Sequence, residues 1–311
     1  AMEPYYAVEY GNGSSLHRFG RRARAAIEEA RASLAETIGA EPSEIVFTSG
    51  ATEADNLAIK GLAFAHPEKR HIITSRIEHH AVLHACRWLE GRGYEVTYLD
   101  VDRNGRVDPE AVRGSIRDDT LLVSIMAGNN EIGTIEPIGE IGEICKERGV
   151  PFHTDAVQAY GKIDIPTGAV DLLSVSAHKL NGPKGVGFLY VRKGIRLSPL
   201  LSGGGHERGL RSGTENVPGI VGLAAAARLA FSERGTVVPR LRGFRERLIE
   251  GVMRIPGVRL NGDRTESLPH IANFSFAGIE GESLVMRLDE RGIAASTGSA
   301  CSSPSLEPSH V

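Results

Sequence analysis

From about residue 20 to residue 235 the chain alternates two hydrophobic rhythms. RRARAAIEEARASLAETIG (21–39), TEADNLAIKGLAFA (52–65), HAVLHACRWLEGRG (80–93), PEAVRGSI (109–116) and IGEICKERG (141–149) repeat apolar residues at helical spacing, and the first ends at Gly39. Between them lie short runs rich in β-branched residues: EIVFTSG (44–50), HIITSRI (71–77), YEVTYLDV (94–101), TLLVSIMA (120–127) and VPFHTDA (150–156). Runs as continuously apolar as LLVSIM suit parallel strands covered on both faces. The pattern predicts an α/β unit over residues 1–235, a mostly parallel sheet with helices on both sides. LLSVSA (172–177), GVGFLYV (185–191) and RLSPLLSGG (196–204) follow closely enough to add antiparallel strands to the same sheet.

A long helical stretch starting at Val217 and running through LAAAARLAF and PRLRGFRERLIEGVMRI leads away from that unit. Beyond it RLNG, HIANFSFAG, GESLVMRLDERG and IAASTG read as strand, strand, helix and strand. They predict a smaller α+β domain over 236–311 whose pattern stops short at its C-terminal end.

Composition narrows the classes. Of the 311 residues 41% are hydrophobic and 24% charged, which fits a folded globular chain rather than a disordered one. The net charge of −3 comes with scattered basic residues, giving no reason to expect nucleic acid or a membrane surface as partner. The opening AMEPYYAVEYGNGSS has neither a long apolar run nor a basic flank, so a cytoplasmic address is the expectation. Three cysteines, Cys86, Cys145 and Cys301, are too few and too far apart for a disulfide framework or a structural zinc site. Cys86 and Cys145 sit among apolar helical neighbours and are expected to be buried. Cys301, in STGSACSSPSLEPSHV, is surrounded by small and polar residues as in an exposed loop, where a thiol could act as a nucleophile that travels.

Chemistry-bearing residues gather just past strand ends. SVSAHKLNGPKGVG brings Ser176, His178 and Lys179 to a glycine-proline turn. A lysine there can form a Schiff base if desolvation or a nearby cation, such as His178 or Lys184, frees its lone pair. VPFHTDAVQAYGK ends a strand at Asp155, a carboxylate suited to a protonated ring nitrogen, and offers Gln158 to a ring hydroxyl; an N-cap role for Asp155 is the alternative. FTSGATEADN sets Ala51 and Thr52 at a helix start able to hold a phosphate, although Thr52 with Asp55 also matches a capping box. His79 could lie flat on a ring and Asn130 could orient a substrate, while His80 and Asn129 read equally well as caps. A phosphate cradle, a stacking imidazole, a carboxylate and a lysine, in this order and each past a strand, form a coherent set.

These segments resemble the cysteine desulfurases of the NifS/IscS type, within the fold type I, class-V-aminotransferase-like enzymes that use pyridoxal 5'-phosphate. The resemblance rests on FTSGATEADNLAI, IEHHAVL, SIMAGNNEIGTI, FHTDAVQAYGK, SVSAHKLNGPKGVG, GGGHERGLRSGTENVPGIVG and STGSACSSPSLEPSHV, in family order across nearly the whole chain. It implies that Lys179 binds the cofactor aldehyde, His79 stacks on the ring, Asp155 meets the ring nitrogen and Gln158 the ring oxygen. It implies that Ala51, Thr52, Ser176 and His178 hold the phosphate, and that Asn130 sits beside cofactor and substrate. Thr214 would reach the phosphate of a second subunit in a homodimer. Cys301 would take sulfur from L-cysteine as a persulfide, leave L-alanine, and pass the sulfur to an iron-sulfur scaffold or a tRNA-thiolation acceptor. No resident metal is assigned, with Cys301 at most a transient iron-sulfur ligand. Relatives carry a segment before GNGSSLH and a substrate-binding arginine after SHV; neither occurs here, so the chain reads as truncated at both ends, with substrate affinity in question. The rival readings are an aminotransferase, a selenocysteine lyase and a non-catalytic module that only presents Cys301.

Overall fold

A computed structural model describes residues 1–298 and 309–311. Its large sheet comprises β1 (Ile45–Thr48), β2 (His71–Ser75), β3 (Glu95–Leu99), β4 (Thr120–Ser124), β5 (Phe152–Asp155), β6 (Leu172–Ser176) and β7 (Gly187–Val191). The order is β1-β7-β6-β5-β4-β2-β3. β3, β2, β4, β5 and β6 are mutually parallel, whereas β7 runs antiparallel to both β6 and β1. The helices of this part are α1 (Pro4–Ala7), α2 (Arg18–Thr37), α3 (Ala51–Ala65), α4 (His80–Glu90), α5 (Pro109–Ser115) and α6 (Ile138–Glu147).

Strand alternation sorts the core into two faces. Ile73, Val123, Leu173, Phe188 and Tyr190 pack with α2, α5 and α6. Their neighbours Ile72, Leu122, Leu172, Leu189 and Val191 pack with α3 and α4 on the other side. A sheet buried on both faces needs both sides of each strand apolar, which is why these runs are continuous in sequence. Cys86 and Cys145 are both fully buried, and burial pushes both thiols up, Cys145 to about 12.

One helix, α7 (Val217–Val252), carries the chain without interruption through residue 235. After it come β8 (Val258–Asn261) and β9 (Asn273–Phe276), an antiparallel pair, and α8 (Gly281–Asp289). Two expected strands are absent. RLSPLLSGG is a connecting loop, in which Pro199 has no amide to give and Ser198 donates its amide to the Gly61 carbonyl of α3 instead of to a strand. The described residues of IAASTG also form no strand and are mostly exposed. No helix among the described residues is long and apolar enough to cross a membrane.

The outer edge of β1 is closed by a buried ion pair. Arg31 of α2 is 2% exposed and grips Glu207 with two hydrogen bonds of 2.7 and 2.8 Å. Arg31 also donates to the Ile45 carbonyl at 2.8 Å, and Glu207 accepts the Phe47 amide at 2.9 Å, so the pair satisfies edge groups that would otherwise be open to another strand. The guanidinium lies over the Phe47 ring, 4.6 Å from its centre.

Arg31→Met leaves Glu207 buried without its cation, and urea unfolding is expected to show a loss of about 3–5 kcal/mol. A pH effect follows from Glu136, which burial pushes up to about 8. Its raised folded value means that its contribution is complete below the unfolded value of about 4.3 and is lost as pH rises through the folded one. Glu136→Gln should therefore gain on the native chain by roughly 1.4 kcal/mol per pH unit inside that window; equal slopes in a stability-against-pH series would contradict it.

Candidate active site

The carboxyl ends of β1, β2, β4, β5 and β6 open on one rim, the place where open α/β sheets bind ligands. Past β1, Gly50 adopts φ 144° and α3 begins at Ala51 with no side-chain cap, leaving the first amides of the helix without an intrahelical acceptor. Thr52 is thus inside the first turn, and Asp55 faces the sheet at 1% exposure, so the two make no capping box. Gly187, where β7 starts, is forced by a close approach: a Cβ there would meet the Val175 carbonyl at 2.3 Å and the Gly50 Cα at 2.9 Å. Ser176 ends β6 facing this corner, and its hydroxyl is 2.8 Å from His178 Nδ1. Ala51, Thr52, Ser176 and His178 therefore surround one helix N-terminus, a ready anion site.

Lys179 lies in a 3-10 turn over Ala177–Leu180 that ends with Asn181 in the left-handed region at φ 60°. Lys162 Nζ donates to the Lys179 carbonyl at 3.1 Å and fixes the turn. Burial and the neighbouring Lys179 push the Lys162 ammonium down to about 8. Lys162 is thus the neighbouring cation most tightly tied to Lys179. His178 keeps a pKa below its usual range through burial, with Lys179 and Lys184 adding to the effect.

Asp155, at the end of β5, is 7% exposed. One of its oxygens accepts the Val157 amide at 2.9 Å and holds a turn; no helix starts there, so Asp155 is not an N-cap. Burial raises its pKa, while that amide, His79 and Lys179 act in the opposite direction. Lys179 is thus near enough for its charge to act on the Asp155 carboxyl. His79 is the N-cap of α4: its Nδ1 accepts the Ala81 amide at 3.1 Å, which requires the hydrogen, if the ring is neutral, to sit on Nε2. Gln158 is buried, and its Oε1 lies 3.1 Å from His270 Nε2. Burial, with Lys162 and Lys179, drives the His270 pKa down to about 3, so the neutral ring donates to Oε1 and the Gln158 amide hydrogens stay available.

Past β4, Asn129 and Asn130 divide their work. Asn129 is fully buried, donates to the Ile77 carbonyl and accepts the Glu131 and Ile132 amides, a structural turn. Asn130 is half-buried at the rim. Thr214 is exposed in a loop tied to α3 by Arg211, whose Nε is 2.9 Å from Glu53. Cys301 lies outside the described residues.

Asp55, Lys162, Glu131 and His270 were not among the sequence candidates. Asp55 carries a signal, an acid on the apolar face of α3, whereas His270 arrives from beyond α7 and nothing local in HIANFSFAG marks it.

A profile of the family described as Aminotransferase class-V matches residues 1–311. The chain is 57% identical over 314 residues to "Cysteine desulfurase IscS" of Methanosarcina thermophila, covering 100% of this chain and 78% of that protein. It is 54% identical over 315 residues to "Putative cysteine desulfurase IscS 1" of Bacillus subtilis, covering 100% and 83%. Among solved structures, a "NIFS-LIKE PROTEIN" superposes with a TM-score of 0.92 at 44% identity over 95% of this chain and 82% of that one. "SspA in complex with cysteine" superposes with a TM-score of 0.87 at 42% identity over 99% and 87%. Agreement of profile, sequence and fold over all or nearly all of this chain means that it belongs to the class-V aminotransferase family, in its branch of NifS/IscS-type cysteine desulfurases.

Proposed function

We propose that this chain is a pyridoxal-phosphate-dependent cysteine desulfurase that converts L-cysteine to L-alanine and carries the released sulfur on Cys301. The observation that carries the proposal is the approach of His79 and Asp155, with side-chain atoms within 4.8 Å of each other, at the strand ends beside the uncapped start of α3, with Lys179 near enough for its charge to act on Asp155. The donor set fits the cofactor: helix amides and the Ser176–His178 pair for a phosphate, a buried acid for a ring nitrogen, an amine for an aldehyde. Class-V aminotransferases generally use this cofactor, which when bound supplies an electron sink for the substrate α-carbon.

Each residue then has a task. Lys179 Nζ would hold the cofactor aldehyde and, as a free amine, would take up the substrate α-proton. Asp155 would hold negative charge toward the ring nitrogen, Gln158 would donate to the ring oxygen, and the His79 face would cover the ring. Asn130 orients substrate. The Cys301 thiolate attacks the substrate sulfur; the carbon–sulfur bond breaks with its electron pair left on carbon, and the new sulfur–sulfur bond keeps the sulfur on the protein. Thr214 completes the phosphate site of a second copy in a homodimer. The acceptor is an iron-sulfur scaffold or tRNA-thiolation protein, reached in the cytoplasm where the thiol stays reduced.

Two variants test this. Lys179→Ala should lose the visible absorbance gained on adding the cofactor and lower turnover by at least about 10²–10⁴-fold. Cys301→Ala should keep the absorbance and lose sulfide release from L-cysteine. Undiminished sulfide from Cys301→Ala would remove the persulfide step, and a chain that never binds the cofactor would leave only the presenter reading.

A further inference from the structure

A second carboxyl is buried behind Asp155, and the functions assigned above make no use of it. Asp55, on the sheet-facing side of α3, is 1% exposed, and its Oδ1 has no hydrogen-bond partner. Side-chain ligand atoms of Asp55, Asp155 and His79 all lie within 4.8 Å of one another. Among the described residues the basic side chain in ion-pairing reach of Asp55 is His153, whose Nε2 is 3.6 Å from Oδ1. That imidazole offers no charge. It is fully buried on β5, burial drives its pKa to about 3, and its two nitrogens already meet Ser124 Oγ at 2.8 Å and Ser174 Oγ at 3.0 Å.

The groups facing Asp55 are therefore Asp155 and His153 from β5, His79 from the start of α4, Ser174 from β6, and Glu78 from the turn after β2. None is a lysine or an arginine. Glu78 is itself fully buried, and burial raises its pKa although it accepts Ser75 Oγ at 2.7 Å and the Met126 amide at 3.0 Å. Two carboxyls this close in a dry site cannot both ionise cheaply, so they titrate as a pair that keeps one proton. Position decides where it resides. Asp155 accepts the Val157 amide at 2.9 Å and has Lys179 and His79 favouring its charge, whereas Asp55 has an Oδ1 without a hydrogen-bond partner, burial, Asp155 and Glu78 against its charge, and Ser174 favouring it.

We infer that Asp55 is a positioning residue which holds the shared proton of the Asp55–Asp155 pair, so that the pair carries a single negative charge and carries it on Asp155. The inference rests on Asp155 being the partner of the cofactor's ring nitrogen. One negative charge matches one protonated ring nitrogen, and the neutral acid behind it keeps Asp155 from taking the ring's proton.

Counting protonated aspartates tests this directly. The full chain, labelled with ¹³C at aspartate carboxyl carbons, is titrated by NMR with and without bound pyridoxal phosphate. One aspartate is expected to remain protonated at neutral pH in both forms; none, or two, would overturn the inference. Asp55→Asn should delete that resonance; its persistence in that variant would also overturn the inference. Asp55→Leu, which cannot hold a proton or donate, should shift the neutral-pH absorbance where Asn does not. The count on the cofactor-free chain stands even if no cofactor binds, so failure of the parent assignment and failure of this inference give different results.

Discussion

Burying the charge of Asp155 at the end of β5 is the constraint around which the rim is organised. An ionised carboxyl in such a place is costly unless hydrogen bonds or cations offset it, and a single amide from Val157 is too little alone. The rest comes from three directions: His79 from the start of α4, Lys179 from the turn after β6, and, in the proposed function, the ring nitrogen of the cofactor. The group that recognises the ligand is thus left short of partners until the ligand supplies one. That makes binding energy and correct orientation the same interaction.

The sheet delivers these groups because its strands end at one level. Parallel pairing of β2, β4, β5 and β6 puts their carboxyl ends together, and the antiparallel β7 brings its first residue, Gly187, to the same edge. With no side chain there, β1 and β6 close up until Gly50 and Ser176 share a corner. The Arg31–Glu207 pair holds the far edge of β1, so the loop entering α3 is fixed from both sides.

Much of this was readable from residues alone, for identifiable reasons. Continuous apolar runs and the punctuating glycines gave the parallel sheet, since neither depends on distant partners. Asp155 and Ser176 end β5 and β6, and Lys179 and His79 follow β6 and β2 within four residues, where local pattern and location coincide. The exceptions are residues whose meaning is set by packing. RLSPLLSGG has the apolar content of a strand, yet its backbone answers to α3. Asp55 matched a cap because a helix start looks the same in sequence whichever way its acid turns. His270 acquires a role only because the chain beyond α7 returns to Gln158.

That return also anchors the chain against the loop after β4. Leu268 covers Gly128, the Ser267 hydroxyl donates to the Gly133 carbonyl, and the Asn273 amide reaches the Glu131 carbonyl, so the stretch between α7 and β9 lies along the loop after β4. Gly298 and Ser309, which flank the segment holding Cys301, converge on the same side chain. A Cβ on Gly298 would be 3.3 Å from Glu131 Oε2, and the Ser309 hydroxyl donates to that oxygen at 2.6 Å. Glu131 follows Asn130 directly, and His310 bonds the Glu78 carbonyl next to His79. The described chain on either side of that segment is thus fixed beside the rim, at Glu131 and next to His79.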